Sequence, residues 1–137
     1  MMEKVIDEAE LTVNQKSQSD RRFSLVTVEN PNLSIDYLVS LGSKLTDESC
    51  CIQISYVPDK LVLKPEAFEQ YLHSFDDQDV LSLEALALNV LIDLNNEVVP
   101  RWVQVRAKSE SSNHRVLVED RQPIWENEEL LSRIQKF

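Results

Sequence analysis

The sequence predicts an α+β domain in the order ββααββ, an antiparallel sheet packed on two consecutive helices. Three observations carry this. Ile52, Ile54 and Tyr56 alternate with Gln53 and Ser55, the period of a half-buried strand. Phe68, Tyr71, Leu72 and Phe75 recur at i, i+3, i+4 and i+7, the spacing of an amphipathic helix. Finally, strand-like pairs of runs flank the helical stretch on both sides.

Residues 1–22 are polar and read as a mobile arm, in which "KVIDEAEL" is able to form a short helix; a loop containing "ENPN" follows. The apolar-rich runs Ile35 to Leu45 and Cys50 to Val57, separated by "TDES", make a first hairpin. Pro58 and Asp59 end it. Pro65 sits where a first helical turn tolerates proline, and "PEAFEQYLHSF" forms the first helix. "DDQD" interrupts, and a second helix is expected from about Asp79 to Val98, ended by Pro100. Trp102, Val103, Val105 and Ala107 begin a third strand, "SESSN" turns, and Val116 to Val118 form a fourth. "ENEELLSRIQKF" reads as a short terminal helix. The expected organisation is an arm (1–22), one domain (23–122) and a tail (123–137).

At 137 residues the chain is long enough for one self-supporting core, and 42% hydrophobic with 28% charged residues is a globular composition. Its single glycine, Gly42, excludes a Gly-rich phosphate loop. A formal charge of −10, with basic residues that do not cluster along the sequence, argues against direct nucleic-acid binding. No apolar run is long enough for a membrane span, and the N-terminus lacks a signal core, so the expected location is the cytoplasm with Cys50 and Cys51 reduced.

The second helix contains one acid out of place. Ser82, Asn89 and Asp93 fall within about 40° of one another and are expected to form its solvated face. Glu84 lies about 200° from Ser82, among Val80, Ala87, Leu88 and Leu91. A carboxylate there is paired, kept for a ligand, or simply wet beside the positive end of the helix dipole. The apolar face is also wider than a small sheet covers, which suggests an oligomer or a larger core. His73 and His114 have no Cys or His partners at metal-ligand spacing. Trp102 and Trp125 read as packing residues, Trp125 with an interface role as the alternative, and Arg101 and Arg106 as partners of surface acids.

Two stretches, "VENPNLSIDY" (28–37) and "YVPDKLVLKPEAFEQYLHSF" (56–75), followed by "VPRWVQVRAKS" (99–109), resemble the 7-cyano-7-deazaguanine reductases of the QueF type, over roughly residues 23–120. That resemblance implies the tunnelling fold, also ββααββ, in subunits that close their sheets into a barrel with ligand sites between them. It implies NADPH-dependent nitrile reduction in queuosine biosynthesis, a tRNA modification pathway.

The family's nucleophile lies in a Cys-Pro-x-Thr-x-Gln-Pro-Asp stretch between the first two strands, and here Tyr37 to Tyr56 encloses only 18 residues, too few to hold it. Cys50 and Cys51 are the remaining candidates for a catalytic thiol. They begin a strand, point to opposite faces, and lack the Pro, Thr and Gln of the motif, so the reading of both is structural. Where the family carries a Lys-rich NADPH stretch on the first helix, this chain reads Lys64-Pro65-Glu66-Ala67-Phe68-Glu69, and Ser112-Asn113-His114 replaces an Arg-Gly-Gly turn. No cofactor is therefore expected. Glu84 lies within one residue of the family's base-anchoring Glu and is the expected substrate-binding acid, able to accept two hydrogen bonds from a guanine-like edge.

Three functions fit. The chain is a non-catalytic homologue that binds a deazaguanine or other purine-like base, alone or with a related subunit. It is a pathway enzyme, nitrile reductase or amidinotransferase-like, that uses other residues or a partner's. Or it is an interaction module. The leaning is away from an enzyme.

Overall fold

The alternation around Ile52 and Ile54 produces the central strand, β3 (Cys50–Val57). The computed structural model describes residues 21–45, 49–75 and 82–134. β3 pairs antiparallel with β2 (Val39–Lys44) on one side and with β5 (Trp102–Ser109) on the other. β5 continues to β6 (Arg115–Arg121), giving a four-stranded sheet in the order β2-β3-β5-β6. The predicted hairpins are both present, on either side of the helices. The arm expected over 1–22 lies outside the described residues except for Arg21 and Arg22.

A second sheet was not expected. β1 (Thr27–Glu29) pairs antiparallel with β4 (Leu61–Leu63) in a short ribbon. β1 alternates Val28 with Thr27 and Glu29 and β4 is wholly apolar (Leu61-Val62-Leu63), but three residues each are too brief to distinguish from a loop.

α1 (Pro65–His73) lies against β2, and α2 (Leu83–Glu97) lies against β5 and β6. Both cover the same face of the sheet. Ile52, Ile54 and Tyr56 from β3, with Val103, Val105 and Ala107 from β5, are 0–1% exposed beneath Phe68, Leu72, Leu86 and Val90. A short α3 (Glu128–Leu131) follows the sheet, its Asn127 side chain accepting from the Leu130 N–H. Among the described residues no helix is long and apolar enough to cross a membrane.

The second helix begins later than its hydrophobic pattern suggests. Ser82 is extended (φ −158°, ψ 163°) and its Oγ accepts from the Ala85 N–H at 3.0 Å, so α2 starts at Leu83 rather than near Asp79. An N-cap serine satisfies one of the four donors that a helix start leaves open. At the other end Val99 adopts φ 49° and its N–H reaches the Leu94 carbonyl, with Pro100 blocking continuation. A β-branched residue in that left-handed conformation is strained.

The orientation of α2 corrects the helical-wheel expectation. Leu83, Leu86, Ala87, Val90, Asp93 and Leu94 are its buried residues, an arc of about 120°. Asp93, expected in water, is 4% exposed, while Leu88 and Ile92 on the opposite side are 46% and 53% exposed. The helix is apolar nearly all round, so its polar residues do not mark its outer face. Asp93 is accommodated because the Tyr71 hydroxyl donates to its Oδ2 at 2.5 Å. Arg21, 4% exposed, lies beside the pair with its guanidinium 4.5 Å over the Phe75 ring. Burial pushes the Asp93 carboxyl above its ordinary value, against the hydrogen bond from Tyr71 and the charges of Arg21 and Arg22.

Two substitutions test the helix ends by urea unfolding. Ser82→Ala is expected to cost about 1 kcal/mol; if α2 began at Asp79, the same change would place alanine in a helix interior and stabilise. Val99→Gly is expected to raise stability by about 0.5–1 kcal/mol through relief of the left-handed strain.

Candidate functional site

The four-residue stretch Ser82–Ala85 brings Glu84 to the first turn of α2 with its side chain outward, 58% exposed. The register of β5 and β6 places the β5–β6 turn beside it, and His114 Nε2 lies 3.1 Å from Glu84 Oε2. Backbone donation at the helix start leads in holding the Glu84 carboxyl below its ordinary value, and the His114 contact adds to it. Glu84 is therefore anionic and reachable, with lone pairs to spare. It is on the wet side, one of the environments its helical position left open, because the buried arc of α2 faces β5 and β6.

The two cysteines diverge as strand alternation requires. Cys50 is 9% exposed in the core face, with Ser49 Oγ 3.6 Å from its sulfur. Cys51 is half-buried on the opposite, helix-free face. The hairpin that carries them is closed down to its end: Lys44 pairs with Cys51, and the Leu45 N–H donates to the Cys50 carbonyl at 3.1 Å. In the sequence, residues 46–49 separate these two bonded ends.

Pro65 to Glu69, where the resemblance would look for a Lys-rich cofactor stretch, border a cleft of 390 Å³ between β2 and α1 that Leu41, Gly42, Ser43, Pro65, Glu66, Phe68 and Glu69 line. Its walls are apolar and its charged lining residues are both acids. The residues present do not fit NADPH, whose phosphates need cations or open backbone N–H groups. Among the described residues no group of His, Cys, Asp and Glu gathers as a metal site.

The polar residues of the stretches "ENPN…DY", "YVPDK" and "VPRW" converge on one point at the other end of the sheet. Asp36 accepts from Arg101 Nη1 at 2.6 Å, from Trp125 Nε1 at 3.1 Å and from Asn127 Nδ2 at 3.1 Å. Arg101 also donates to the Leu33 carbonyl and lies 3.4 Å from Asp59 Oδ1. The Asn30 side chain accepts from Tyr37 and donates to the Asp59 carbonyl. Sequence reasoning treated Arg101 as a partner of surface acids and Trp125 as packing; in the fold they share one acceptor. Burial opposes ionisation of Asp36, and the three donors outweigh it, so its carboxyl lies below the ordinary value. This is a structural network, which ties Trp125 and Asn127 of the C-terminal segment to the domain.

The sequence model of the QueF-like proteins matches residues 49–114, a span that contains both cysteines, Glu84 and His114. None of the curated proteins matches the chain. Among solved structures it is similar to the apo form of the archaeosine synthase QueF-Like, at 23% identity with a TM-score of 0.44, over 71% of this chain and 91% of that one.

The Asp36 network carries a pH signature. An acid whose folded pKa lies below its ordinary 3.8 contributes stability that is present above that value and is lost as pH falls through the folded pKa. Asp36→Asn is expected to cost about 1.5–3 kcal/mol at neutral pH. Its deficit against the parent protein should narrow in urea unfolding at acid pH; a deficit that is constant with pH would remove the ionic role.

Proposed function

We propose that this chain, a divergent QueF-like protein over residues 49–114, binds a 7-deazaguanine or closely related purine base and does not carry out nitrile reduction. The observation that supports the reading best is Glu84. It is an anionic, outward carboxylate at a helix start inside the matched segment, held at one oxygen by His114. Its free lone pairs suit a ring N–H and an exocyclic amine, the paired donors of a guanine-like edge. In this reading the remaining walls of the site come from a neighbouring copy. β2 and β6 are the two edges of the sheet, and edge-to-edge joining of copies would extend the sheet toward the barrel that the family resemblance implies.

Reduction of a nitrile through a thioimide needs a reachable thiol and a hydride donor held against the base. Cys50 faces the core, Cys51 opens on the face away from α2, and the cleft at α1 has acids where cofactor phosphates would bind. The chemistry therefore stops at binding. In that state the site belongs to the queuosine and archaeosine branch of tRNA modification, as a base-holding subunit.

The test is thermal melting with 7-cyano-7-deazaguanine, 7-aminomethyl-7-deazaguanine and guanine, for the parent protein and Glu84→Gln, with NADPH consumption followed in parallel. A ligand at 100 times its Kd adds about 2.7 kcal/mol, a rise of a few degrees. A rise for one base that disappears in Glu84→Gln, with NADPH unconsumed, is the expected result. No rise with any base would reduce the protein to an interaction module, and NADPH oxidation dependent on Cys51 would make it an enzyme.

A further inference from the structure

We propose that the helix-free face of the sheet holds a separate site for a compact, multiply phosphorylated small molecule. Strand register assembles it. Lys44 of β2 pairs with Cys51 of β3, Cys51 with Lys108 of β5, and Lys108 with Arg115 of β6. Directly paired residues project from the same face, so the row reads Lys-Cys-Lys-Arg across the whole sheet. Arg106 belongs to the next row on that face, with Gln53 as its neighbour on β3. Four cations that are scattered through the sequence thus share one end of one face, in a chain whose formal charge is −10.

Three features set this face apart from an ordinary solvated surface. Lys44, Lys108 and Arg115 are exposed, and neither lysine side chain makes an ion pair or hydrogen bond with any described residue. Lys108 and Arg115 stand directly opposite one another, which concentrates positive charge at that point of the face. The chain's one glycine, Gly42, pairs with Gln53 in the row beside the cations. A Cβ built there would meet its nearest atom, the Ile52 carbonyl oxygen, at 3.6 Å, an ordinary contact. Packing does not require glycine at that position, and its absence of side chain leaves the strand backbone open to a ligand.

The charge pattern selects the occupant. Lysine and arginine stems are long enough for their heads to converge on one multiply charged anion, and the Arg fork suits phosphate oxygens. A long polyanion would run past the row toward Glu119, which shares the face, and feel the negative charge of the whole molecule. The face also offers no aromatic ring beside the cations on which a base would stack. A short phosphoanhydride chain meets the local cations and avoids both penalties. Glu84 lies on the helix side of the sheet, so the site is independent of the base proposed there.

Calorimetric titration of the full chain with sodium tripolyphosphate at fixed ionic strength tests the proposal. Saturable binding is expected, stronger than for sulfate, and weakened at least about tenfold in the double variant Lys44→Gln/Lys108→Gln, because two charge-assisted contacts are lost. Lys60→Gln, an exposed lysine outside the sheet, should bind as the parent does. Both variants replace exposed side chains and should melt near the parent temperature. Absence of saturation, equal affinity for sulfate, equal loss in Lys60→Gln, or tighter binding of a single-stranded RNA oligonucleotide would each overturn it.

Discussion

The pairing of β3 with β5 is the constraint on which the molecule depends. These two strands are the interior of the sheet, and their core-facing side chains are almost completely removed from water. Because side chains alternate, a one-residue slip would exchange the two faces everywhere at once. Ile52, Ile54, Val103 and Val105 hold the register by what their exposure would cost. The same register decides that Cys50 goes inward and Cys51 outward, and that Lys44, Lys108 and Arg115 line up. It also delivers the β5–β6 turn, with His114, to the start of α2.

A short connection between β2 and β3 and an intact central sheet are compatible for a physical reason. Ladder hydrogen bonds continue to the end of the β2–β3 hairpin and leave the core pairs of β3 untouched. The recognisable stretches of sequence, in contrast, are spent on architecture. Asn30, Asp36, Tyr37, Asp59 and Arg101 satisfy one another and, through Trp125, hold the C-terminal segment to the domain.

Much of the fold was legible because its signals are local. The alternation from Ile52 to Tyr56, the i, i+3, i+4, i+7 stripe of α1 and the two proline stops each depend on neighbours in sequence. The ribbon of β1 and β4 was not legible, since three-residue strands carry too little pattern. The candidate site was half legible. Glu84 stood out as an acid in an apolar helix, and of the environments left open the wet one at the helix start is the one found, while its partner His114 comes from 30 residues away. Asp93 was misread for the complementary reason: its burial is permitted by the Tyr71 hydroxyl, a contact across 22 residues.

By itself, the sequence determined the ββααββ order of the main sheet and its two helices, the two hairpins and the helix-covered face, but not the β1–β4 ribbon. These follow from periodicity, chain breaks and residue identity, which are properties of contiguous segments. Tertiary structure alone decided which side of α2 is wet, which cysteine meets solvent, how Arg101 is shared among Asp36, Asp59 and the Leu33 carbonyl, and that dispersed cations form a row. Each of those depends on strand register and helix rotation, and both are set by packing energy summed over the whole core.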